Sequence, residues 1–212
     1  RFEFPLENFS LMAWIKPNFN GDFINTLLRP EIDDVNDELD CSDDLYQYYS
    51  GNNSTIDPQC LDSDIFNKFN LFVNIYPEDS SIHVGIKDDS IGTKKLSQGW
   101  NQVTLTYDSD IFKVYINGEL DKSYSNVDYS SLSRFIMHDY YGLADELSFW
   151  NISLDSSFIA QNYNKYLNSF QSGLLSYYHF DEGFGSTVYD YSKSSGDDLG
   201  LLNGHHIDLF DS

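Results

Sequence analysis

Oxygen-bearing side chains dominate one stretch of the sequence, and they define the first chemistry that the chain could support. Residues 33–40 read DDVNDELD, which is dense in carboxylate and amide oxygens. Such oxygens are the ligands that Ca²⁺ takes, six to eight at a time. The stretch lacks the glycine that an EF-hand loop carries at its sixth position. Calcium is therefore the metal that the sequence favours, but not in an EF-hand.

The histidines and cysteines do not indicate a catalytic or zinc site. The five histidines form no His-Glu-x-x-His or similar ligand pattern. Two cysteines cannot make a four-cysteine zinc site, and no Gly-x-Ser-x-Gly or Ser-His-Asp arrangement is present. We therefore predict no catalytic residues and no enzymatic activity.

Cys41 and Cys60 flank a loop rich in Asp, Asn, Ser and Tyr. A disulfide between them would close a loop of roughly 20 residues and stabilise the fold by about 3 kcal/mol in the chain-entropy model. A polar loop gains most from such a link because it buries little apolar surface. We predict this disulfide, which would imply an oxidising compartment. The alternative is two unrelated thiols.

Four N-glycosylation sequons begin at Asn8, Asn52, Asn53 and Asn151. Their number proves little, because a chain this rich in Asn and Ser contains sequons by chance. Asn53 is the best candidate, since its sequon has Thr and lies in the polar loop between the cysteines. Asn8 is the next candidate.

The overall composition favours strands over helices. The 212 residues carry a net charge of -22 and include 16 Tyr and 16 Phe. Such a charge repels nucleic acid and anionic membranes, and it attracts divalent cations or basic partners. No apolar run is long enough to cross a bilayer. No signal peptide is visible, so we interpret the chain as a mature protein or part of a longer one.

The elements that must position these residues are mainly strands. Period-two or apolar runs predict eight strands, and Pro30 is predicted to stop the second of them. Asn117-Gly118 predicts a tight hairpin. Ser153 or Asp155 can cap a helix over 153–167 that places Phe158, Ile159, Tyr163 and Leu167 on one face. The predicted strands are 9–16, 23–29, 69–76, 81–87, 100–108, 111–120, 118–124 and 142–150.

Three ordered blocks resemble one family. They are FSLMAWIKP, QGWNQVTLTYDSDIFKVYINGEL and GLADELSFWNISLDSSFIAQNY, and they cover much of residues 9–167. They are similar to strands of the laminin-G-like or pentraxin-like jelly roll in the concanavalin A-like lectin/glucanase superfamily. The resemblance implies an all-β, two-sheet antiparallel jelly-roll sandwich with one short helix. It also implies that Trp14 and Trp100 lie in the core and that Asn151 bonds the backbone where strand turns to helix.

The same resemblance suggests ligands. Many laminin-G-like domains hold one Ca²⁺ at a rim, which implicates Asp145 and Asp190, with Asp181 next; capping of turns is the alternative. Carbohydrate binding is the family's commonest small-ligand role, and YQYYSGNN offers Tyr46, Tyr48 and Tyr49 for it. These tyrosines could instead pack the loop onto a sheet.

Related glucanases carry Glu-Ile-Asp-x-x-Glu, with both catalytic carboxylates on one face of a strand. Residues 31–36 read EIDDVN, so Asn36 replaces the second glutamate. Asn cannot act as a general acid or base, and a degenerate glucanase is therefore the least favoured function. The acidic insertion at 31–64 is longer than the family's usual loop.

The closing stretch GLLSYYHFDEGFGSTVYDYS resembles a block that commonly opens a jelly roll of this family. We divide the chain into a sandwich at 1–171 and a closing segment at 172–212. That segment can fold back to complete its own sheet, or it can begin the next repeat and complete a neighbour's sheet edge. We favour the first arrangement.

These observations predict a non-catalytic adhesion or scaffold module from an extracellular or cell-surface protein of the secretory pathway. Its partners would be other extracellular domains, copies of itself, or glycans. A calcium-dependent, lectin-like glycan-binding module is the alternative function.

Overall fold

The computed structural model describes residues 7–19, 25–31, 72–76, 79–85, 91–125, 134–136, 140, 142–168, 170–183, 187–192 and 207–208. In this part of the chain, antiparallel strands predominate and one short helix is present, as predicted. No helix within these ranges is long and apolar enough to cross a membrane. The chain divides into two compact units, each with its own large sheet.

The larger sheet has six strands, and every neighbouring pair is antiparallel. The first strand lies in the middle, between strands that follow it by about a hundred residues or more. In spatial order the strands are β11 (Leu174–Tyr178), β10 (Gly142–Trp150), β1 (Asn8–Pro17), β6 (Asn101–Asp108), β7 (Ile111–Ile116) and β8 (Glu119–Ser125).

Strand β1 is buried on both faces. Phe9, Leu11 and Ile15 alternate along one face and are each at most 4% exposed. The other face includes Ser10, which is fully buried. Its hydroxyl donates to the carbonyl of Ile152 (2.8 Å) and accepts from the amide of Leu154 (2.9 Å). Ser10 therefore fixes the segment that follows β10. The sequence predicted that Asn151 would bond the backbone at this position.

The helix α1 (Ser156–Asn162) is shorter than the predicted 153–167. Asp155 caps its first turn by accepting from the amide of Phe158 (2.8 Å), which confirms one of the two predicted caps. Tyr163 forms the C-cap, and the Asn162 side chain donates to the carbonyl of Phe158 (2.8 Å), so the last turn is closed there. The helix covers a core of Met12, Tyr115, Trp150, Leu154, Ile159, Leu174 and Tyr177, flanked by Phe158 and Leu167.

The predicted hairpin between β7 and β8 is confirmed. Asn117 (φ 53°) and Gly118 (φ 83°) both have left-handed backbones, as a type I′ turn requires. The Asn117 side chain accepts from the amide of Gln102 (2.9 Å), which fixes the turn against β6. A Cβ at Gly118 would lie 2.5 Å from Cδ1 of Tyr163, so this glycine also allows the end of α1 to approach the turn.

The second unit contains a five-stranded antiparallel sheet. The predicted pairing of 69–76 with 81–87 is confirmed over the described residues, 72–76 and 81–85. The prediction that Pro30 stops a strand is wrong, because Pro30 pairs with Phe135. Among the described residues, this end of the strand pairs with Arg134–Ile136, and proline is tolerated in a strand where its nitrogen does not face a partner carbonyl. The strand order is β5 (Ile91–Gly92), β4 (Ser81–Gly85), β3 (Phe72–Tyr76), β2 (Asn25–Glu31), β9 (Arg134–Ile136).

The closing segment begins by folding back onto the chain's own sheet. Strand β11 pairs with β10 at the sheet edge, from Leu147↔Tyr178 to Trp150↔Leu174. Leu174, Tyr177 and Tyr178 are each at most 6% exposed. Two further short strands, β12 (Thr187–Val188) and β13 (Ile207–Asp208), pair with each other.

Candidate functional site

Strand register brings the site together on the helix-bearing face of the six-stranded sheet. Trp14 of β1 lies opposite both Gln102 of β6 and Asp145 of β10. Trp100 immediately precedes β6 and is 41% exposed. With the segment that follows α1, these strand ends surround a cavity of about 430 Å³, lined by Trp14, Trp100, Asp145, Glu146, Asn164, Lys165 and Tyr166.

A β-bulge shapes this cavity. The register between β1 and β10 shifts between Met12 and Trp14, so that Glu146 and Leu147 together face Ala13. Glu146 has a left-handed backbone, with φ of 52°. In a regular strand Asp145 and Glu146 would point to opposite faces, but here both line the cavity. A left-handed backbone costs a non-glycine residue about 1 kcal/mol or more, and such strain is often found at functional sites.

Two groups hold the Glu146 side chain in place. Nδ1 of His179 lies 2.9 Å from its Oε1, and the Tyr177 hydroxyl donates to its Oε2. Tyr177 is 1% exposed, and its hydroxyl also accepts from the amide of Leu167 (3.1 Å). The His179 ring packs 4.4 Å from the Tyr177 ring, centroid to centroid. Glu146 is thus fixed by a partly buried, hydrogen-bonded network.

Burial raises the pKa of both carboxyl groups in the cavity. For Glu146, the hydrogen bond from His179 opposes the effect of burial, while the charges of Asp145 and Asp181 reinforce it. For Asp145, the amide of Glu146 opposes burial, and the charge of Asp181 reinforces it. Both groups therefore hold their protons at a higher pH than ordinary carboxyl groups do.

Several polar groups in the cavity are unused. In the described part of the chain, no hydrogen bond engages the indole nitrogens of Trp14 and Trp100, the amide of Asn164, the ammonium of Lys165 or the hydroxyl of Tyr166. Asp145 uses one carboxylate oxygen, which accepts from the amide of Glu146 (3.0 Å). Donors, acceptors and aromatic faces are therefore all available to a ligand.

The three aspartates predicted as calcium ligands have different surroundings. Asp145 lines the cavity, and Asp181 is exposed but close enough to influence it electrostatically. Asp190 is buried, and its Oδ1 accepts from the amides of Tyr177 (3.0 Å) and Ser192 (2.8 Å), as in the capping alternative. Among the described residues no cluster of three or more His, Cys, Asp or Glu side chains could hold a metal ion. Calcium binding stays a prediction.

Other predicted site residues lie outside the described residues. These include the disulfide pair, Cys41 and Cys60, and the predicted ligand-binding tyrosines and sequons of the same insertion, Tyr46, Tyr48, Tyr49, Asn52 and Asn53. Of the remaining sequons, Asn8 is half-buried at the start of β1, and Asn151 is exposed just after β10. The disulfide, glycosylation and tyrosine assignments stay predictions.

Most of this cavity was not predicted from the sequence. Glu146, His179 and Tyr166 were not predicted as site residues, and the prediction that Trp100 lies in the core is wrong. A signal for the bulge was present in β10, where Asp145 falls in the same alternating series as buried Leu147 and half-buried Phe149. A charged residue in an apolar series indicates a break in the alternation, and hence a candidate site.

Comparisons with known proteins support the fold. No family model matches the sequence, and no curated protein matches it. A proposed carbohydrate-binding protein from Bacteroides ovatus is 16% identical, with a TM-score of 0.56 over 87% of this chain and 49% of that one. A Trypanosoma rangeli sialidase is 14% identical (TM-score 0.49; 74% and 22% of the two chains). A heptameric SAP-like pentraxin from Limulus polyphemus is 10% identical (TM-score 0.46; 73% and 69%).

The chain spans about half the length of the Bacteroides protein and about a fifth of the sialidase. At these identities the likeness bears on the fold alone, and only the first TM-score exceeds 0.5. The likeness to the Bacteroides protein, together with the antiparallel sheets and the single short helix of the described residues, gives the fold class. This chain has the all-β, jelly-roll sandwich fold that its sequence predicts.

Proposed function

We propose that this chain is a non-catalytic glycan-binding module and that the cavity between Trp14, Trp100 and Tyr166 is its binding site. The observation that carries the proposal is the convergence of three aromatic side chains with unused hydrogen-bonding groups around one cavity. A pyranose ring has an apolar face that can pack on an aromatic ring and a rim of hydroxyl groups that need polar partners. The cavity supplies both kinds of contact, and its volume is within the usual range for small-ligand sites.

The polar groups suit hydroxyl recognition. The free oxygen of Asp145 can accept a charge-assisted hydrogen bond from a sugar hydroxyl, and the Asn164 amide can both donate and accept. Lys165 adds a donor. Glu146 is already held by Tyr177 and His179, so we assign it to positioning the bulge and not to proton transfer. This division of roles favours binding over hydrolysis.

The likeness to the Bacteroides protein agrees with this proposal but adds only the shared fold to it. The predicted adhesion or scaffold role remains the other candidate, and it makes a contrasting prediction: no glycan should bind. Calcium dependence is open, so the binding test is best run both with Ca²⁺ and with EDTA.

The first test is a glycan array probed with the wild-type chain and with Trp100→Ala. We expect binding to uncharged glycans and a loss of about 30-fold or more in affinity for the variant, because truncating an aromatic side chain at the centre of an interface costs ~2 kcal/mol or more. Phe170→Ala is a matched control, since Phe170 is exposed (67%) but does not line the cavity.

Two outcomes would contradict the proposal. Silence of the wild-type chain on the array, with and without Ca²⁺, would favour the scaffold role. Equal binding by wild type and Trp100→Ala would place the glycan site elsewhere, and the predicted tyrosines of the insertion would then be the next candidates.

Acidification should weaken glycan binding. A carboxyl group is ionised only above its pKa, and burial raises the pKa of Asp145 above 3.8 and that of Glu146 above 4.5. As the pH falls through these raised values, Asp145 gains a proton and loses its charge-assisted hydrogen bond to the sugar. We expect calorimetry from about pH 7 down to about pH 4 to show this loss of affinity. The loss should begin at a higher pH than it would if the carboxyl groups had their ordinary pKa values.

Asp145→Asn tests the assignment of this pH dependence. The variant should bind more weakly at neutral pH and have a flatter pH profile, because it cannot titrate at this position. Thermal unfolding at each pH separates loss of binding from loss of structure. A profile identical in the wild type and the variant would remove Asp145 from the proposed contact.

A further inference from the structure

The aromatic surface does not end at the cavity. Tyr166, which lines the cavity and is 77% exposed, has its ring centre 6.1 Å from that of His179. On His179 a second tyrosine packs edge-on: the ring of Tyr191 lies 4.4 Å away at an interplanar angle of 83°. The three rings form a row that leads from the cavity onto the neighbouring surface, and we call it the tyrosine row (Tyr166, His179, Tyr191).

Tyr191 has a fixed backbone and an available ring. Its amide donates to the carbonyl of Tyr177 (2.7 Å), and Asp190 beside it accepts from the amides of Tyr177 and Ser192. The side chain is nevertheless 37% exposed, and within the described residues its hydroxyl has no hydrogen-bond partner. A rigidly held aromatic ring with a free hydroxyl costs little conformational entropy when it contacts a ligand.

The charges around the row restrict the ligand. Asp145, Glu146, Asp181 and Glu182 are acidic, whereas Lys165 and His179 are the nearby basic groups in the part of the chain that the structure describes. The chain as a whole carries a charge of -22. An acidic sugar would meet like charge and lose hydration at the same time. The surface therefore suits an uncharged saccharide.

We propose that the site binds an uncharged oligosaccharide of several pyranose rings, with one ring in the cavity at Trp100 and later rings along the tyrosine row. This inference rests on the proposed function and extends it. A site restricted to the cavity would bind a monosaccharide as well as a longer chain. An extended site gains affinity with each ring that reaches a further aromatic contact.

The test is calorimetry with three uncharged series, the cello-, laminari- and manno-oligosaccharides, each from one to six units. In at least one series we expect affinity to rise with length. Tyr191→Ala should then lose about tenfold for the longest members, the scale of one aromatic contact, and nothing for the monosaccharide. Trp100→Ala should weaken binding at every length. Tyr191→Phe keeps the ring and should keep most of the affinity.

Tyr189→Ala is the matched control, because Tyr189 is exposed (48%) two residues away and makes no ring contact with His179 among the described residues. Equal affinity of wild type and Tyr191→Ala for long chains, with Trp100→Ala still impaired, would overturn the extended site and leave the proposed function intact. Absence of binding to all three series by the wild-type chain would refute both. Losses equal in Tyr189→Ala and Tyr191→Ala would also overturn the assignment to the row.

Discussion

A chain that ends at Gln171 is expected to lose its native fold. The truncation removes β11, which covers the edge of β10 and contributes the buried side chains of Leu174, Tyr177 and Tyr178. Removing each buried side chain of this size costs about 3–5 kcal/mol, so the total is on the order of 10 kcal/mol. That loss is comparable to the whole stability of a typical domain, about 5–15 kcal/mol.

Hydrogen bonds are lost as well. The Tyr177 hydroxyl accepts from the amide of Leu167, and the carbonyl of Gly173 accepts from the amide of Asn151 (2.9 Å). Circular dichroism should report loss of the cooperative unfolding transition, and light scattering should report aggregation through the exposed edge of β10. A peptide covering 172–192, added in trans, is the control that should restore part of the structure.

The opposite result would identify a different architecture. If the truncated chain stays folded and monomeric while the complete chain forms growing oligomers, the closing segment completes a neighbour's sheet in solution. The scaffold role would then regain support, because strand exchange between copies builds a fibre.

Gly118→Ala is expected to destabilise the chain by roughly 2–4 kcal/mol. The left-handed backbone at this position costs a residue with a Cβ about 1–2 kcal/mol. The added Cβ would also meet Cδ1 of Tyr163 at 2.5 Å and Cγ at 2.9 Å. The backbone of Tyr163 is held, because its amide donates to the carbonyl of Ile159, so relief of the clash requires a different rotamer of the ring. Urea unfolding measures the loss.

A double variant separates the steric clash from the cost of the left-handed backbone. Tyr163→Ala removes the clash but not the unfavourable backbone, so the double variant should lose less than the sum of the single losses. Gly99→Ala is the matched glycine control, since its Cβ would meet only the Ser97 hydroxyl, at 3.7 Å, and we expect a change within about 0.5 kcal/mol. A similarly small change for Gly118→Ala would show that the turn and the helix end adapt to the methyl group.

The sequence predicted the fold well because strands and tight turns leave local patterns. The strand at 142–150 has the predicted bounds, and Asn117-Gly118 forms the predicted turn, since both signals depend on neighbouring residues. Asp155 was predicted as a cap for the same reason. Pro30 shows the limit of such signals, because it pairs within a sheet, and its partner strand comes from residues 134–136, about a hundred positions later.

The site was harder to predict because its parts meet only through register. Trp14, Trp100 and Asp145 are far apart in the sequence, and no local pattern says that β1 lies between β6 and β10. The bulge that lets Asp145 and Glu146 both line the cavity depends on a one-residue offset between two strands. His179 and Tyr191 join the site only because the closing segment folds back. Asp145 alone was found in advance, by resemblance and for a different ligand.

The central position of β1 has a consequence for how the chain acquires its structure. Ser10 makes its hydrogen bonds with Ile152 and Leu154, which lie 142 and 144 positions later in the sequence. At a synthesis rate of 5–20 residues per second, β1 leaves the ribosome roughly 7 to 28 seconds before these partners exist. An apolar strand without neighbours is a target for non-native pairing, and folds rich in distant contacts form slowly. Successful production of this protein should therefore depend on chaperones that hold its first strand until the later ones arrive.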